Sequence, residues 1–165
     1  MPIMDPHSLE FFSRSPEQTR RIGMRLGGLL TAGDVIGLQG ELGAGKTTLV
    51  QGIAQGWGSL DPVSSPTFIL VNIYRRPDGI KLFHLDAYRI ESTAEAEELD
   101  LDAMLSQGPL VLEWPERIEV VLPGERLWVK MEDVSDENRQ MYFSAHGERH
   151  ECLLAGLRQA LFGVD

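Results

Sequence analysis

One stretch constrains this chain more than any other: Gly40-Glu41-Leu42-Gly43-Ala44-Gly45-Lys46-Thr47, which matches G-x-x-x-x-G-K-[ST] without a gap. Its flanks carry as much weight as the match. Asp34 to Gln39 reads as a short buried strand, and Thr47 to Ala54 as a helix with Leu49, Val50 and Ile53 on one side. Strand, glycine loop and helix are the context in which this pattern cradles phosphate. Glycines let the loop turn tightly and aim successive N–H groups inward, and the helix start adds the positive end of its dipole. Lys46 is then placed to reach the β- and γ-phosphates of a nucleotide, and the Thr47 hydroxyl to ligate Mg²⁺.

Length and composition narrow the class. At 165 residues, with 42% hydrophobic and 24% charged residues, residues 1–165 read as one globular domain. No apolar run approaches a membrane span, and Met1 to Glu10 lacks the pattern of a secretory signal, so a cytoplasmic protein is expected. The single cysteine, Cys152, rules out an internal disulfide, and its place beside Leu153 and Leu154 suggests a buried, inert thiol. Net charge is −10, with the 15 Lys and Arg scattered and acidic residues clustered at 91–102 and 132–137. A protein that grips nucleic acid unaided carries a basic face, so any role with RNA is expected to run through a partner.

Around the loop the chain alternates helices and strands. Residues 7–13 read as extended. Ser15-Pro16-Glu17 reads as a helix start, with Ser15 as N-cap, and the helix continues through Ile22, Leu26 and Leu29 to Ala32-Gly33-Asp34. Asp61 to Thr67, with two prolines, is a polar loop that either senses the γ-phosphate or simply connects. Residues 68–74 and 80–85 form a hairpin about Pro77-Asp78-Gly79, which implies a mixed sheet. Asp86 follows at a strand end, where ligands bind in open α/β sheets; it could hold Mg²⁺ through water, orient the attacking water, cap a helix or pair with Arg89.

Residues 92–105 read as one acidic helix, with Ser92 and Glu95 in capping-box spacing and Leu99 and Leu105 inward. Leu110-Val111-Leu112-Glu113-Trp114 is an apolar strand ending in a carboxylate, the form of the second ATPase motif, whose acid holds Mg²⁺ or polarises water. Trp114 is either core or a lid over the site. Residues 126–131 and 140–146 form a second hairpin, with Leu127, Val129 and Met131 facing Met141, Phe143 and Ala145 and residues 132–138 joining them. Arg139, at its base, either reaches a nucleotide or is a surface charge. Residues 148–161 close the chain as an amphipathic helix. The expected fold is therefore α/β, a P-loop NTPase-like three-layer sandwich with a mixed parallel and antiparallel sheet.

Gly40 to Thr48, Ser65-Pro66-Thr67-Phe68, His84-Leu85-Asp86-Ala87-Tyr88-Arg89 and Leu112-Glu113-Trp114-Pro115-Glu116 occur in that order. In this the chain resembles the bacterial ATPase family TsaE (formerly YjeE) over roughly residues 13–161. The resemblance implies a Mg²⁺-dependent ATPase that works with two proteins, a transferase and its non-catalytic paralogue. These place a threonylcarbamoyl group on adenosine 37 of tRNAs reading codons that begin with A. ATP hydrolysis would reset that complex, and tRNA would be met only through it. Carried over by residue, Gly43, Ala44, Gly45, Lys46, Thr47 and Thr48 would bind the phosphates. Thr47 and Glu113 would be the metal ligands, and Lys46, Asp86 and Glu113 the catalytic set, with Asp86 near the γ-phosphate. Ser15, Glu17 and Thr19 match the region lining the adenine side, and Arg139 a nucleotide-contacting arginine. Two other functions compete: a small-molecule P-loop kinase and a nucleotide-gated module with negligible turnover. No N-K-x-D motif occurs, which argues against guanine specificity.

Overall fold

The computed structural model describes residues 5–41, 44–64 and 71–163. The expectations for Gly43 and for the Ser65-Pro66-Thr67-Phe68 loop lie outside the described residues, as do those for the first residues of the 68–74 strand.

The strand before the glycine loop is the axis of the molecule. β2 (Val35–Gln39) is buried along nearly its whole length, as its uninterrupted apolar sequence requires of a strand covered on both faces. It pairs in parallel with β5 (Leu110–Glu113) on one side and β6 (Arg126–Ser135) on the other. β4 (Lys81–Asp86) extends the parallel centre beside β5. Antiparallel strands finish both edges: β3 (Val71–Arg75) against β4, and β7 (Asn138–His146) then β1 (Ser8–Ser13) beyond β6. The order across the sheet is β1-β7-β6-β2-β5-β4-β3. The mixed sheet is as expected, and so is the register of the second hairpin, which sets Leu127 against Ala145, Val129 against Phe143 and Met131 against Met141.

Alternation within each strand divides the core in two. Ile36, Leu38, Val111 and Val129 face α1 (Pro16–Gly27), α2 (Lys46–Trp57) and α5 (Glu148–Phe162), while Val35, Leu85, Leu110 and Leu112 face α3 (Thr93–Glu97), α4 (Leu101–Leu105) and a 3-10 segment, Pro115–Val121. α1 and α2 approach unusually closely because each carries two glycines four residues apart. A Cβ at Gly27 would stand 2.0 Å from the Ile53 carbonyl oxygen, and one at Gly56 2.0 Å from that of Met24. Among the described residues no helix is long and apolar enough to cross a membrane.

Several local expectations are corrected. The acidic helix is two short helices, α3 and α4, because Asp100 takes a left-handed conformation (φ 52°) that interrupts the hydrogen-bond ladder. Its Ser92 cap is present, accepting from the Glu95 N–H. α1 stops at Gly27, several residues before Asp34. The link in the second hairpin is short: β6 continues to Ser135, and Asp136 (φ 44°) turns the chain, with Arg139 paired to Asp133 across the ladder at 3.0 Å. Cys152 is exposed, on the side of α5 opposite the buried Leu153, Leu154 and Leu157.

Candidate functional site

Gly45 is left-handed (φ 96°) and caps α2 through its backbone, so Lys46 becomes the first helical residue. No side chain caps this helix start, which leaves the N–H groups of its first turn for a ligand. Lys46 is buried. Its Nζ donates to the Gly40 carbonyl at 2.6 Å and lies 4.1 Å from the centre of the Trp114 ring. Burial lowers its pKa, while the charges of Glu113, Asp86, Glu116 and Glu41 pull the other way. Thr47 is exposed on the first turn and Thr48 half-buried behind it.

Two carboxylates end the neighbouring strands. Asp86 closes β4 and Glu113 closes β5, directly opposite one another in the parallel register. Both therefore stand at the carboxyl edge of the sheet, on the face that α2 covers. Asp86 Oδ1 accepts from the Tyr88 N–H at 2.9 Å, so its hydrogen bond goes to a local turn and not to Arg89. Burial raises the Asp86 pKa, and the Glu113 charge adds to the rise against the Tyr88 hydrogen bond and the Lys46 charge. Glu113 is buried, and its Oε2 meets His84 Nε2 at 2.8 Å.

Trp114 is left-handed without being glycine (φ 58°, ψ 49°), a conformation that costs about 1 kcal/mol or more. Its ring is half-buried, against Lys46 on one side and 5.0 Å from the Tyr88 ring on the other. It serves as both things the sequence left open, a rim of the second core and a cover on the lysine.

The remaining candidates divide. Ser15 Oγ accepts from the Gln18 N–H as the cap of α1, and Glu17 is exposed on its first turn. Thr19 is buried, its Oγ1 2.7 Å from Ser13 Oγ. Thr19, Gly45, Thr48 and Arg139 line a small cavity of about 30 Å³ beside the glycine loop. The Arg139 guanidinium bonds Asp133 through one terminal nitrogen, but its buried Nε has no hydrogen-bond partner among the described residues. An orphaned donor beside an uncapped helix start, a buried ammonium and a carboxylate pair make a donor set that fits a phosphorylated ligand with a hard cation. Among the described residues no group of three or more His, Cys, Asp or Glu is placed to hold a metal ion.

Sequence reading missed His84 and its neighbour Tyr74, whose hydroxyl lies 2.8 Å from His84 Nδ1. The available signal was period two: His84 precedes Asp86 by two residues on β4 and so shares its face.

A mixed α/β sheet whose central strand leads through a glycine-rich segment into a helix gives this chain a P-loop-like fold. The same fold occurs in the crystal structure of YdiB from Bacillus subtilis, at a TM-score of 0.76 and 34% identity, covering 93% of this chain and 95% of that one. The family model described as threonylcarbamoyl adenosine biosynthesis protein TsaE matches residues 13–141, and the chain belongs to that family. Among its relatives, the tRNA threonylcarbamoyladenosine biosynthesis protein TsaE of Bacillus subtilis (strain 168) is 40% identical over 147 residues, 88% of this chain and 90% of its own. The protein of the same name from Streptomyces coelicolor is 43% identical over 136 residues, 79% of this chain and 92% of its own.

Proposed function

We propose that this protein is a cytoplasmic Mg²⁺-dependent ATPase that serves threonylcarbamoylation of adenosine 37 in tRNAs reading codons that begin with A. It would act on the transferase and its non-catalytic paralogue, resetting their complex, and would meet tRNA only through them. The pathway rests on the names of the relatives. One observation carries the ATPase reading: Lys46, Asp86 and Glu113 converge around the uncapped start of α2, at the carboxyl edge of β2, β4 and β5.

In this reading Lys46 leaves the Gly40 carbonyl to neutralise the β- and γ-phosphates of ATP. The N–H groups of the first turn of α2, which no side chain caps, hold the phosphate oxygens together with the glycine loop before them. Thr47 and Glu113 would hold Mg²⁺, which supplies charge neutralisation on the phosphates when bound. Asp86, its pKa raised by burial, sits close enough to Glu113 to feel its charge and would orient the attacking water. Thr19 and Arg139 would border the nucleoside side, with Ser15 and Glu17 nearby at the start of α1.

Binding and turnover separate the roles. Lys46→Ala is expected to weaken ATP binding. Glu113→Ala is expected to spare binding and to slow hydrolysis by about 100-fold, measured by calorimetry and by phosphate release with the partner subunits present. Normal hydrolysis by the Glu113 variant would remove that residue from the mechanism.

A further inference from the structure

A line of buried hydrogen bonds leads away from Glu113. His84 Nε2 meets Glu113 Oε2 at 2.8 Å, and His84 Nδ1 meets the Tyr74 hydroxyl at 2.8 Å. The oxygen of that hydroxyl accepts from the Ser64 N–H at 3.4 Å, with the Ser64 carbonyl oxygen 3.1 Å away. Asn72 Nδ2 donates to the same Ser64 carbonyl at 2.8 Å. His84 is 1% exposed and Tyr74 2%, on the face of the sheet where Leu82 lies wholly buried. Aliphatic side chains here would fold at lower cost than three polar ones drawn out of water. With Glu113 as a carboxylate, which has no hydrogen to give, Nε2 is the donor of the first bond. Nδ1 is then left to accept from the phenol, whose pKa burial raises. Oε2 is thereby committed to His84, and Oε1 takes no hydrogen bond from the described residues.

We propose that His84 and Tyr74 are positioning residues: they fix the Glu113 carboxylate so that Oε1 faces the nucleotide, and tie that orientation to the backbone of Ser64, in the loop after α2. The inference rests on the role proposed for Glu113. Neither residue touches the reacting atoms; both act through the carboxylate. Every link joins a different segment of the chain, so a shift at Ser64 and a rotation of Glu113 are mechanically coupled.

Two amide variants separate positioning from space-filling. A glutamine at this position sets its amide nitrogen near where Nε2 lies and keeps the donor to Glu113. An asparagine reaches only as far as Nδ1 and keeps the Tyr74 end alone. Steady-state ATP hydrolysis is measured on the full chain with its partner subunits, over a range of ATP concentrations, with melting temperatures recorded for each variant. His84→Asn is expected to lower kcat by about 10–100-fold with KM within about twofold of wild type, and His84→Gln to recover most of that loss. Tyr74→Phe, nearly isosteric, is expected to lower kcat by about three- to tenfold, and it carries the test should His84→Asn not fold. In a Glu113→Gln background, His84→Asn is expected to cost nothing further, because residues that act through one another are not additive.

Equal losses in His84→Gln and His84→Asn, or an unchanged kcat in Tyr74→Phe, would overturn the proposal. So would an undiminished further loss in the Glu113→Gln background. If Glu113→Gln is slow while His84→Asn turns over like wild type, the positioning line falls and the role of Glu113 stands. If Glu113→Gln itself matches wild type, both fall.

Discussion

The contact between α1 and α2 makes a severe test of the fold, because it sets backbone against backbone. Replacing Gly52 by alanine would put a Cβ 2.1 Å from the Arg20 carbonyl oxygen, 2.9 Å from its carbon and 3.0 Å from its Cα. Cβ contacts under 3.0 Å are essentially never seen, so the helices must part by at least about 0.9 Å. Overpacking of this kind costs about 1–3 kcal/mol, and the better helix propensity of alanine returns up to about 1 kcal/mol. Because the obstacle is backbone and not the end of a flexible side chain, the upper end of that cost applies, and the net loss of about 2–3 kcal/mol lowers Tm by about 4–12 °C for a domain of this size. A second consequence is functional. Lys46 is the first residue of α2, so a displacement approaching 1 Å moves the lysine and the N–H groups beside it, and nucleotide binding should weaken along with stability. Gly28→Ala serves as the control: its Cβ would find neighbours no nearer than 3.7 Å at an ordinary helical φ of −66°, and it should melt at or slightly above wild type. Thermal melting followed by circular dichroism, with a nucleotide titration, reads both effects. Gly52→Ala melting at or above wild type would refute the close approach of the two helices.

Two further predictions concern the opposite end of the sheet. Arg149 donates to both carboxylate oxygens of buried Asp34, at 2.9 and 2.8 Å, and to the Leu29 carbonyl; among the described residues, Arg149→Ala leaves that carboxylate with hydrogen bonds from Thr31 alone. Because the arginine is itself 43% exposed, water replaces part of it, and the loss should be about 1–3 kcal/mol by urea denaturation, with Arg149→Lys recovering only a fraction. His150 accepts the Val35 N–H through Nε2 at 3.1 Å, and burial lowers its pKa; Asp34 and Glu125 oppose the shift, and Arg149 and His146 reinforce it. The folded imidazole therefore binds its proton less readily than the unfolded one. Its contribution to stability is full above the unfolded pKa of about 6.5 and is lost as pH falls from there through the lower folded value. Unfolding free energy measured against pH should show that decline, and His150→Gln should flatten it.

What could be read from the sequence was whatever depends on near neighbours. The glycine loop, the Ser15 and Ser92 caps and the pairing of β6 with β7 each follow from local spacing and were legible. Asp86 and Glu113 were legible as strand ends. That they stand directly opposite one another was not, since it depends on β4 and β5 being adjacent. Cys152 was misread because adjacency in a helix was taken for a shared face; residues one apart point about 100° away from each other. The break at Asp100 left no signal beyond an aspartate, a residue that tolerates left-handed backbone. Of the line from Glu113 through His84 and Tyr74 to Ser64, only the face that His84 shares with Asp86 was legible; the contacts were not, because its members come from separate strands and a loop. The paired glycines of α1 and α2 were visible as spacings, but only the topology shows that they meet.

The most direct test of the whole account is the threonylcarbamoyladenosine content of bulk tRNA, measured by nucleoside mass spectrometry in cells depleted of this protein. The account predicts a selective fall in that one nucleoside, restored by wild type and not by Lys46→Ala. An unchanged level on depletion, or full restoration by Lys46→Ala, would contradict it.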